Sequence, residues 1–516
     1  MTIQKKTTPL PTTKLLAKGS LFRVMALLIS TAAAFITLPL VLNLLGTHWY
    51  GIWVVVGTFM GYFGVLDFGL SSATTRFLSL HWNDKDKSKV SQVISTSTFC
   101  FLCLSVISLI LSSIGIWVVP QFLDNPLEAP IIQLILLIMA IDMATTFPFA
   151  TFQSVLGVKL RHDILSSIET IQIIIRTALI YWIATHNGSI VDLAIITLIV
   201  NIATRIVKFS YAYKYLPNGS LAIKHINFKE IKTYLHFGKF SFLGQIGDIL
   251  RFRIDTLVIA AMIGASHVAF YNIALQLSQI ISNLVKVTIG GAAPLFTQYY
   301  AEKRFDQMQE KLLLMTKIGI TMSAMASCSA LLVAEPFIKI WVGEEMLSSF
   351  SPFIVLAVLI PLGIGQGSLI HVLYATAQHH YYAYVNMAEA VINVALSLLL
   401  IQEYGITGVA LGTAIPFVIS KFIAVPYYAC RSIHMPISTY RVHFLKTLLS
   451  ILILEAPLFL IVQFYNLTNF WEIFVLTSFG QILIGFITLK YLLSHDEYNY
   501  VYKAVPPINQ LIRRRA

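Results

Sequence analysis

The feature that most constrains the fold is the recurrence of long apolar segments. About fourteen of them, each of roughly 20 residues, occur between residues 21 and 493, and such a length crosses ~30 Å of hydrocarbon. Hydrophobic residues make up 57% of the 516 residues and charged residues 12%, against roughly 25% charged residues in soluble domains. Backbone groups in hydrocarbon must be satisfied within the chain, which favours helices. The sequence therefore predicts an all-α, polytopic membrane protein.

The segments follow one another with short connections. The predicted spans cover residues 21–45, 47–77, 90–118, 130–156, 164–185, 190–213, 240–264, 267–296, 312–334, 350–376, 383–401, 406–428, 447–464 and 471–493. The first is too long for the apolar core of a cleaved signal peptide, and further spans follow it. No cleavable signal peptide is therefore expected.

An internal repeat organises these spans. Gly46, before the second span, and Gly264, before the eighth, are 218 residues apart, and Gly188 and Gly405 are 217 apart. An even number of spans per repeat gives parallel lobes about an axis along the membrane normal. We predict two six-helix lobes around a central cavity, plus an extra helix pair. The predicted domains are residues 1–213, the cytoplasmic inter-lobe connection 214–236, the second lobe 237–429, and residues 430–516 with the last helix pair and a basic tail.

The distribution of basic residues orients the chain. The formal net charge is +12, and almost all Lys and Arg residues lie in or next to every second connection between spans. Lys421 and Lys446 are counted in this set. The opposite set of connections contains only Lys339. Because cytoplasmic loops carry the excess of Lys and Arg, both termini are predicted to be cytoplasmic. The positive charge is thus a topology signal, and no nucleic-acid partner is expected.

One predicted span, residues 240–264, carries charges near its middle. Gln245, Asp248, Arg251 and Asp255 recur at intervals of three or four and share one helix face, whereas Arg253 lies off that face. A charge at the bilayer centre costs roughly 2.5–3.5 kcal/mol on insertion scales. Two interpretations stay open, an internally neutralised face with i,i+3 and i,i+4 pairs and the wall of a polar cavity.

A second polar face lies in the fifth span, where Glu169, Gln172 and Arg176 recur at i, i+3 and i+7. The other ionisable groups within predicted spans are Asp67, Asp142, Glu389 and Lys286. Each alone can be a buried structural pair, but polar faces in both halves favour a shared interior cavity. Lys286 is grouped with the cavity, and the four carboxylates Asp67, Asp142, Glu169 and Glu389 are candidates for coupling transport to an ion. Arg76, Arg205 and Lys208 are predicted at the cytoplasmic mouth.

The tenth span contains PLGIGQG, in which Pro361, Gly363, Gly365 and Gly367 interrupt the helical pattern. Proline and glycine kink helices, which suits a hinge. Close helix packing through small residues explains the same pattern equally well.

The sequence lacks the common motifs of nucleotide-binding proteins and hydrolases. It contains no Walker A loop, no dinucleotide-binding glycine fingerprint, no zinc-protease motif and no nucleophile elbow. The four cysteines lie in or beside apolar segments, and nothing completes a metal site. We therefore predict no cofactor, no metal and no enzyme activity. A membrane glycosyltransferase or ligase would need a sizeable outer loop with catalytic charges, whereas the predicted outer loops are short and nearly uncharged.

Three stretches carry a family resemblance: LGTHWYGIW (45–53), LDFGLSSATTRF (66–77) and YGITGVALGTA (404–414). They resemble the polysaccharide-flippase branch of the multidrug/oligosaccharidyl-lipid/polysaccharide (MOP) exporter superfamily, and the resemblance spans most of the chain. It implies two bundles that expose a cavity alternately to each side of a bacterial inner membrane. The implied cargo is a polyprenyl-diphosphate-linked oligosaccharide, moved to the outer leaflet for O-antigen, lipopolysaccharide or other surface polysaccharide synthesis.

The resemblance also sets the alternatives and the partners. A count of fourteen spans resembles lipid II flippases, and a cation-coupled multidrug antiporter shares the fold; an antiporter would need an acidic cavity and little arginine. Coupling to H⁺ or Na⁺ is left open. Membrane lipids, a polysaccharide polymerase and glycosyltransferases are the implied partners. Arginine suits a diphosphate because its fork binds phosphate oxygens bidentately and stays protonated, so Arg251, Arg253, Arg176 and Lys286 are the predicted headgroup ligands, with Asp248 and Asp255 as resting partners of Arg251.

Overall fold

A computed structural model describes residues 11–84, 87–118, 126–217, 219–289, 293–465 and 469–492. Within these ranges every regular element is helical, as predicted. Contacts divide the chain into two compact units, unit 1 up to Asn272 and unit 2 from Ile273 onward. This division rests on contacts, whereas the predicted domains rest on the internal repeat. The predicted domain boundaries therefore remain a prediction.

Unit 1 is built from seven helices and the first third of an eighth. Their bounds are α1 Pro11–Tyr62, α2 Leu70–His81, α3 Ser88–Val118, α4 Ala129–Val158, α5 His162–Thr185, α6 Ile190–Tyr213, α7 Phe228–Ile263 and α8 Ala265–Ile289. The pairs α3–α4, α1–α5 and α4–α6 form its main packing interfaces. One apolar core joins α2, α3 and α4, and a second joins α1 and α4 to the start of α6.

Unit 2 contains the rest of α8 and eight further helices. Their bounds are α9 Ala293–Ala301, α10 Phe305–Val342, α11 Phe350–Gly365, α12 Gly367–Ala375, α13 His379–Ile419, α14 Val425–Ser432, α15 Ile437–Phe464 and α16 Phe470–Ile487. The long helix α10 packs against α11, α15 and α16. Its core gathers residues from α9, α10, α12, α14 and α15.

The described helices account for the predicted number of spans. Eleven are long and apolar enough to cross a membrane. Two of these are much longer than a bilayer requires, residues 22–62 and 379–432, and each is divided by a glycine outside the helical region, Gly46 (φ 71°, ψ 173°) and Gly405 (φ 54°, ψ −137°). With these two divisions and α7, the structure agrees with about fourteen segments.

Two predicted spans are interrupted. The span predicted over 47–77 is broken by a 3₁₀ helix, Phe63–Asp67, after which Phe68 and Gly69 have positive φ. The Asp67 carboxylate then accepts two hydrogen bonds from Ser71 in the first turn of α2, one from the backbone N at 3.2 Å and one from Oγ at 2.9 Å. The local hydrogen bonds of that carboxylate explain the break. The span predicted over 350–376 is interrupted at Gln366, directly after Gly365.

The backbone supports the internal repeat and refines its offset. Gly264 (φ 96°, ψ 161°) adopts nearly the same left-handed, extended conformation as Gly46, which glycine tolerates without strain. Asn187 and Gly405 both have φ of 54°, whereas Gly188 does not have a positive φ. The match in φ occurs at an offset of 218 residues, the same as between Gly46 and Gly264, and the repeat itself stays a prediction.

The polar connection predicted between the lobes is held against α3. Ser95 Oγ donates to the Ser220 carbonyl at 2.5 Å, and Thr96 Oγ1 accepts from the Asn227 amide at 3.0 Å. Tyr234, at the start of α7, is 2% exposed and stacks on Phe77 of α2. These contacts fasten residues 219–234 to unit 1.

Candidate functional site

A charged cluster lies between α4, α5 and α6 of unit 1. Asp142 on α4 forms an ion pair with Arg205 on α6, with Oδ1 2.7 Å from Nη1. Arg205 also donates to Thr145 Oγ1 at 2.6 Å and to Thr146 Oγ1 at 2.7 Å. One carboxylate and two hydroxyls therefore hold this guanidinium in place.

Asn201 on α6 is the centre of the cluster. Its Nδ2 donates to Asp142 Oδ2 at 2.8 Å, and its Oδ1 accepts hydrogen bonds from Gln172 Nε2 at 2.8 Å and from Arg176 Nη2. Arg176 forms no ion pair with the carboxylates that the structure describes, and its Nε is buried without a hydrogen-bond partner there. Arg176 is thus a cation held by an amide, with donor capacity to spare.

A cavity of about 230 Å³ opens beside these residues. Its lining comprises Thr146, Phe149, Ala150, Gln153, Gln172, Asn201, Thr204, Arg205 and Lys208. Lys208 donates to Glu169 Oε1 at 2.9 Å. The cluster thus combines three cations, Arg176, Arg205 and Lys208, with two carboxylates, Asp142 and Glu169, so it is locally cationic.

The structure brings together residues that the sequence had assigned to separate roles. Arg205 and Lys208, predicted at the cytoplasmic mouth, meet Asp142, Glu169 and Arg176 in one cluster. Sequence reasoning missed Asn201. Its signal is the spacing of Asn201, Arg205 and Lys208 at i, i+4 and i+7, which mirrors the polar face recognised on α5.

The other predicted cavity residues are placed less completely. The side chains of Gln245, Asp248, Arg251 and Arg253 lie outside the described part of the chain, so their predicted roles stay predictions. Asp255 is described; it is 3% exposed, and its Oδ2 accepts from Tyr271 Oη at 2.6 Å within unit 1. Arg76 and Lys286 are exposed.

Unit 2 contains a second charged pair. Lys421 Nζ lies 3.4 Å from Glu389 Oε2, and both residues are 3% exposed. Sequence reasoning counted Lys421 among the cytoplasmic-facing basic residues and did not foresee that it is buried, on a π-helical turn, Ser420–Ala424. The same reasoning overlooked Glu455, 1% exposed on α15, whose carboxylate accepts from Gln481 on α16 at 2.8 and 2.9 Å.

The predicted hinge coincides with the break between α11 and α12. A Cβ at Gly363 would lie 2.9 Å from Phe417 Cζ, and one at Gly365 would lie 2.6 Å from Ile320 Cγ1. A Cβ at Gly367 would meet nothing within 4 Å. Pro361 is buried within α11. A side chain at Gly363 or Gly365 would thus displace a neighbouring side chain, whereas one at Gly367 would not, and the hinge role stays a prediction.

The helical fold and its apolar spans define a polytopic membrane protein. Among the described residues, no group of three or more His, Cys, Asp or Glu side chains can hold a metal ion. A family model described as "Polysaccharide biosynthesis protein" matches residues 16–300, and the MatE model matches residues 241–399. The chain belongs to the polysaccharide biosynthesis protein family, within the polysaccharide-flippase branch of the MOP exporter superfamily, as the resemblance predicted.

Relatives are similar over most of the chain. The uncharacterized membrane protein EpsK of Bacillus subtilis is 25% identical over 82% of this chain and 83% of its own length. The putative O-antigen transporter of Shigella flexneri is 24% identical over 79% of this chain and 96% of its own. The probable low-salt glycan biosynthesis flippase Agl15 of Haloferax volcanii is 22% identical over 54% of this chain and 58% of its own. The chain is a multi-pass membrane flippase or transporter.

Solved structures share the fold. The lipid II flippase MurJ in an inward closed conformation superposes with a TM-score of 0.71, at 16% identity, and covers 92% of this chain and 99% of its own. An inward-facing multidrug resistance MATE family transporter gives a TM-score of 0.63, at 15% identity, over 80% of this chain and 98% of its own. At these identities the similarity concerns the fold alone.

Proposed function

We propose that this protein moves a polyprenyl-diphosphate-linked oligosaccharide from the cytoplasmic to the outer leaflet of a bacterial inner membrane by alternating access. Two relatives named as an O-antigen transporter and a glycan flippase support a glycan cargo. The observation that carries the proposal is the locally cationic cluster of α4–α6, whose cavity is lined by amides and an aromatic ring. In this role the protein serves O-antigen or other surface polysaccharide synthesis, together with glycosyltransferases and a polymerase.

The cations of the cluster suit a diphosphate. A diphosphate entering a low-dielectric region needs its charge matched. Arg205 is committed to Asp142 and two threonines, and Lys208 to Glu169, whereas Arg176 has only an amide partner. Arg176 is therefore the described cation that can engage phosphate oxygens without breaking an ion pair.

The remaining lining suits the sugar next to the diphosphate. Gln153, Gln172 and Asn201 offer both amide donors and amide acceptors, which match hydroxyl groups. Phe149 supplies an apolar ring in the same cavity. A lipid tail needs no polar partner and can stay in the bilayer.

We further propose that both termini are cytoplasmic, on the grounds of the Lys and Arg distribution. In this orientation residue 224 faces the cytoplasm and Gly343 faces outward. Single cysteines at these two positions in intact cells test the topology. An impermeant thiol reagent should label residue 343 and spare residue 224, and labelling of 224 would invert the scheme.

The substrate is tested by deleting the gene from the source strain. If the protein flips a lipid-linked oligosaccharide, its loss should make that lipid accumulate in the membrane. Mass spectrometry of extracted lipids detects the accumulated lipid. Complementation by the native gene, and by Arg304→Ala as an exposed control arginine, should clear the accumulated lipid. The absence of any accumulated polyprenyl-diphosphate glycan would overturn the proposal.

Lipid II is the second candidate cargo, because MurJ shares the fold over nearly its whole length. The same extraction separates the two, since accumulation of lipid II would identify a peptidoglycan precursor flippase. A multidrug antiporter would accumulate neither lipid and would change drug tolerance instead.

A further inference from the structure

The pair Glu389–Lys421 is a closed site in unit 2. Lys421 Nζ also donates to Asn386 Oδ1 at 3.2 Å and lies 5.1 Å from the ring centre of Tyr382 and 5.7 Å from that of Phe417. A carboxylate, an amide oxygen and two aromatic faces therefore surround the ammonium, an arrangement that favours a cation. Buried ion pairs are weak sources of stability, so stability alone does not account for this one.

Few other ionisable groups pack around this pair. Helix α11, which contacts both α13 and the π-helical turn, has no ionisable side chain at all. Helix α14 brings Tyr427, Tyr428, Cys430 and Arg431, and α12 brings His371 and Tyr374. From α15, Arg441 lies 5.7 Å from the Phe422 ring of the π-helical turn. On α13 itself the remaining groups are His379, His380, Tyr381, Tyr382, Tyr384, Glu403 and Tyr404. Among the described residues of these neighbours, Glu389 is the carboxylate that lies close to Lys421, with Oε2 3.4 Å from Nζ.

The pair is connected mechanically to the break between α11 and α12. The Phe417 ring faces Lys421 on one side. On the other side, its Cζ lies 2.9 Å from the position that a Cβ at Gly363 would occupy. Lys421 itself lies on a π-helical turn, a local widening that is frequent at functional sites. The Phe417 ring therefore connects the pair to α11, which also packs directly on α13 and on the π-helical turn.

We propose that Glu389 and Lys421 form a proton-binding site that couples a proton gradient to the movement of α11. This proposal rests on the proposed function, for which it supplies the energy source. In the resting state the carboxylate and the ammonium neutralise each other and hold Phe417 against Gly363.

The proton cycle conserves charge at every stage. Glu389 takes a proton from the outer side and becomes a neutral acid, while Lys421 releases one to the cytoplasm and becomes a neutral amine. The site then holds no ion pair, and the attraction that fixes Phe417 is lost, so α11 can bend at its break. Transfer of the proton from the Glu389 acid to the Lys421 amine restores the pair, and one proton has crossed.

The experiment uses the full-length protein in proteoliposomes loaded with the lipid-linked oligosaccharide that accumulates in the deletion strain. Translocation is followed by protection from an impermeant glycosidase, with and without an imposed pH gradient. The native protein should accelerate under the gradient, whereas Glu389→Gln and Lys421→Met should transport at the same rate in both conditions. The matched control is Glu335→Gln, which removes the exposed Glu335–Lys339 pair of α10 and should respond to the gradient as the native protein does.

A second measurement does not depend on the cargo. Hydrogen–deuterium exchange of the backbone over residues 355–368, corrected for intrinsic rates, should rise as the pH falls in the native protein. Glu389→Gln should exchange at the raised level at every pH.

The double variant Glu389→Gln/Lys421→Met separates the proton role from a structural one. With no unpaired charge left, it should fold and still lack the gradient response; recovery of the response would show that the pair only supports structure. A native protein that transports but ignores the gradient overturns the coupling alone, whereas failure of all transport in a correctly folded native protein overturns the proposed function. If the native protein does not transport at all, hydrogen–deuterium exchange over residues 355–368 that does not change with pH would overturn the proton site as well.

Discussion

The charged cluster of unit 1 and the charged pair of unit 2 differ in balance and in access. In unit 1, three cations and two carboxylates form a cluster beside a cavity that Arg205 and Lys208 help to line, and the Arg205 and Asp142 side chains are 14% and 11% exposed. In unit 2, one cation and one carboxylate are sealed among aromatic rings, with side chains 4% and 2% exposed. An uncompensated cation beside a cavity suits an anionic ligand, whereas a balanced, sealed pair suits an internal proton transfer. Our two proposals accordingly place cargo binding in unit 1 and energy coupling in unit 2.

The largest expected effect comes from breaking each ion pair by removing its acid. Losing one partner of a buried pair costs about 3–5 kcal/mol, because the other charge remains unpaired. Glu389→Ala should approach that loss. Asp142→Ala should cost less, since Arg205 keeps Thr145 and Thr146 and borders a cavity. Thermal unfolding of the detergent-purified variants measures both, and an equal loss would remove the distinction between a sealed and an open site.

The second prediction concerns Arg176, which has no carboxylate partner among the described residues. Loss of a charge-assisted hydrogen bond costs about 1.5–3 kcal/mol, which corresponds to a transport rate roughly ten- to a hundredfold lower for Arg176→Ala. Membrane levels should stay normal, because only the amide of Asn201 loses a partner.

Arg176→Lys provides the matched comparison for this prediction. It keeps the charge and loses the planar fork, so it should retain part of the transport. Normal transport by Arg176→Ala, with the accumulated lipid cleared, would show that the cluster is scaffolding.

The third prediction concerns the glycines of unit 2. Gly363→Ala/Gly365→Ala should slow transport several-fold while expression stays normal, because the new methyl groups press on the side chains of Phe417 and Ile320, which can shift. Gly367→Ala is the control, since open space surrounds that position, and it should transport normally. An unchanged rate in the double variant would assign the two glycines to packing without a hinge.

Much of the fold could be predicted from the sequence because hydrocarbon leaves few choices. Apolar length and the glycines at 46, 264 and 405 locate most helix boundaries, and the structure places α6 over Ile190–Tyr213, as predicted. The interruption after Tyr62 was missed, because hydropathy runs through it while the hydrogen bonds of Asp67 break the helix locally. The match in φ between Asn187 and Gly405 was not anticipated, since a positive φ at a non-glycine residue has no strong sequence signal.

Most polar residues of the candidate site could be found in the sequence, but which of them lie together could not. Periodicity along one helix found Glu169, Gln172 and Arg176, but it does not tell which helices face each other. Asn201 joins them only across the contact of α5 with α6. The burial of Lys421 was missed for a similar reason, because a lysine near a span end usually reaches the interface. Only the packing of α13 on the π-helical turn shows it buried beside Glu389.

The smallest expected effect concerns an ion pair in contact with solvent, which serves as the reference for both buried sites. Glu302 follows α9; Arg304 Nη1 donates to its Oε2 at 2.8 Å, and Gln298 Nε2 donates to its Oε1 at 2.8 Å. The hydrogen bond from Arg304, followed by that from Gln298, holds the pKa of Glu302 below its ordinary value. A lowered pKa means that the stabilisation is present above the unfolded pKa, about 4.3, and is lost as the pH falls through the lower folded value.

Because solvent screens exposed pairs, Glu302→Gln should leave transport and its gradient response unchanged and should slightly flatten the acid side of a plot of melting temperature against pH. A gradient response that fell with Glu302→Gln as it falls with Glu389→Gln would show that any lost carboxylate weakens coupling, and the sealed pair of unit 2 would lose its special role.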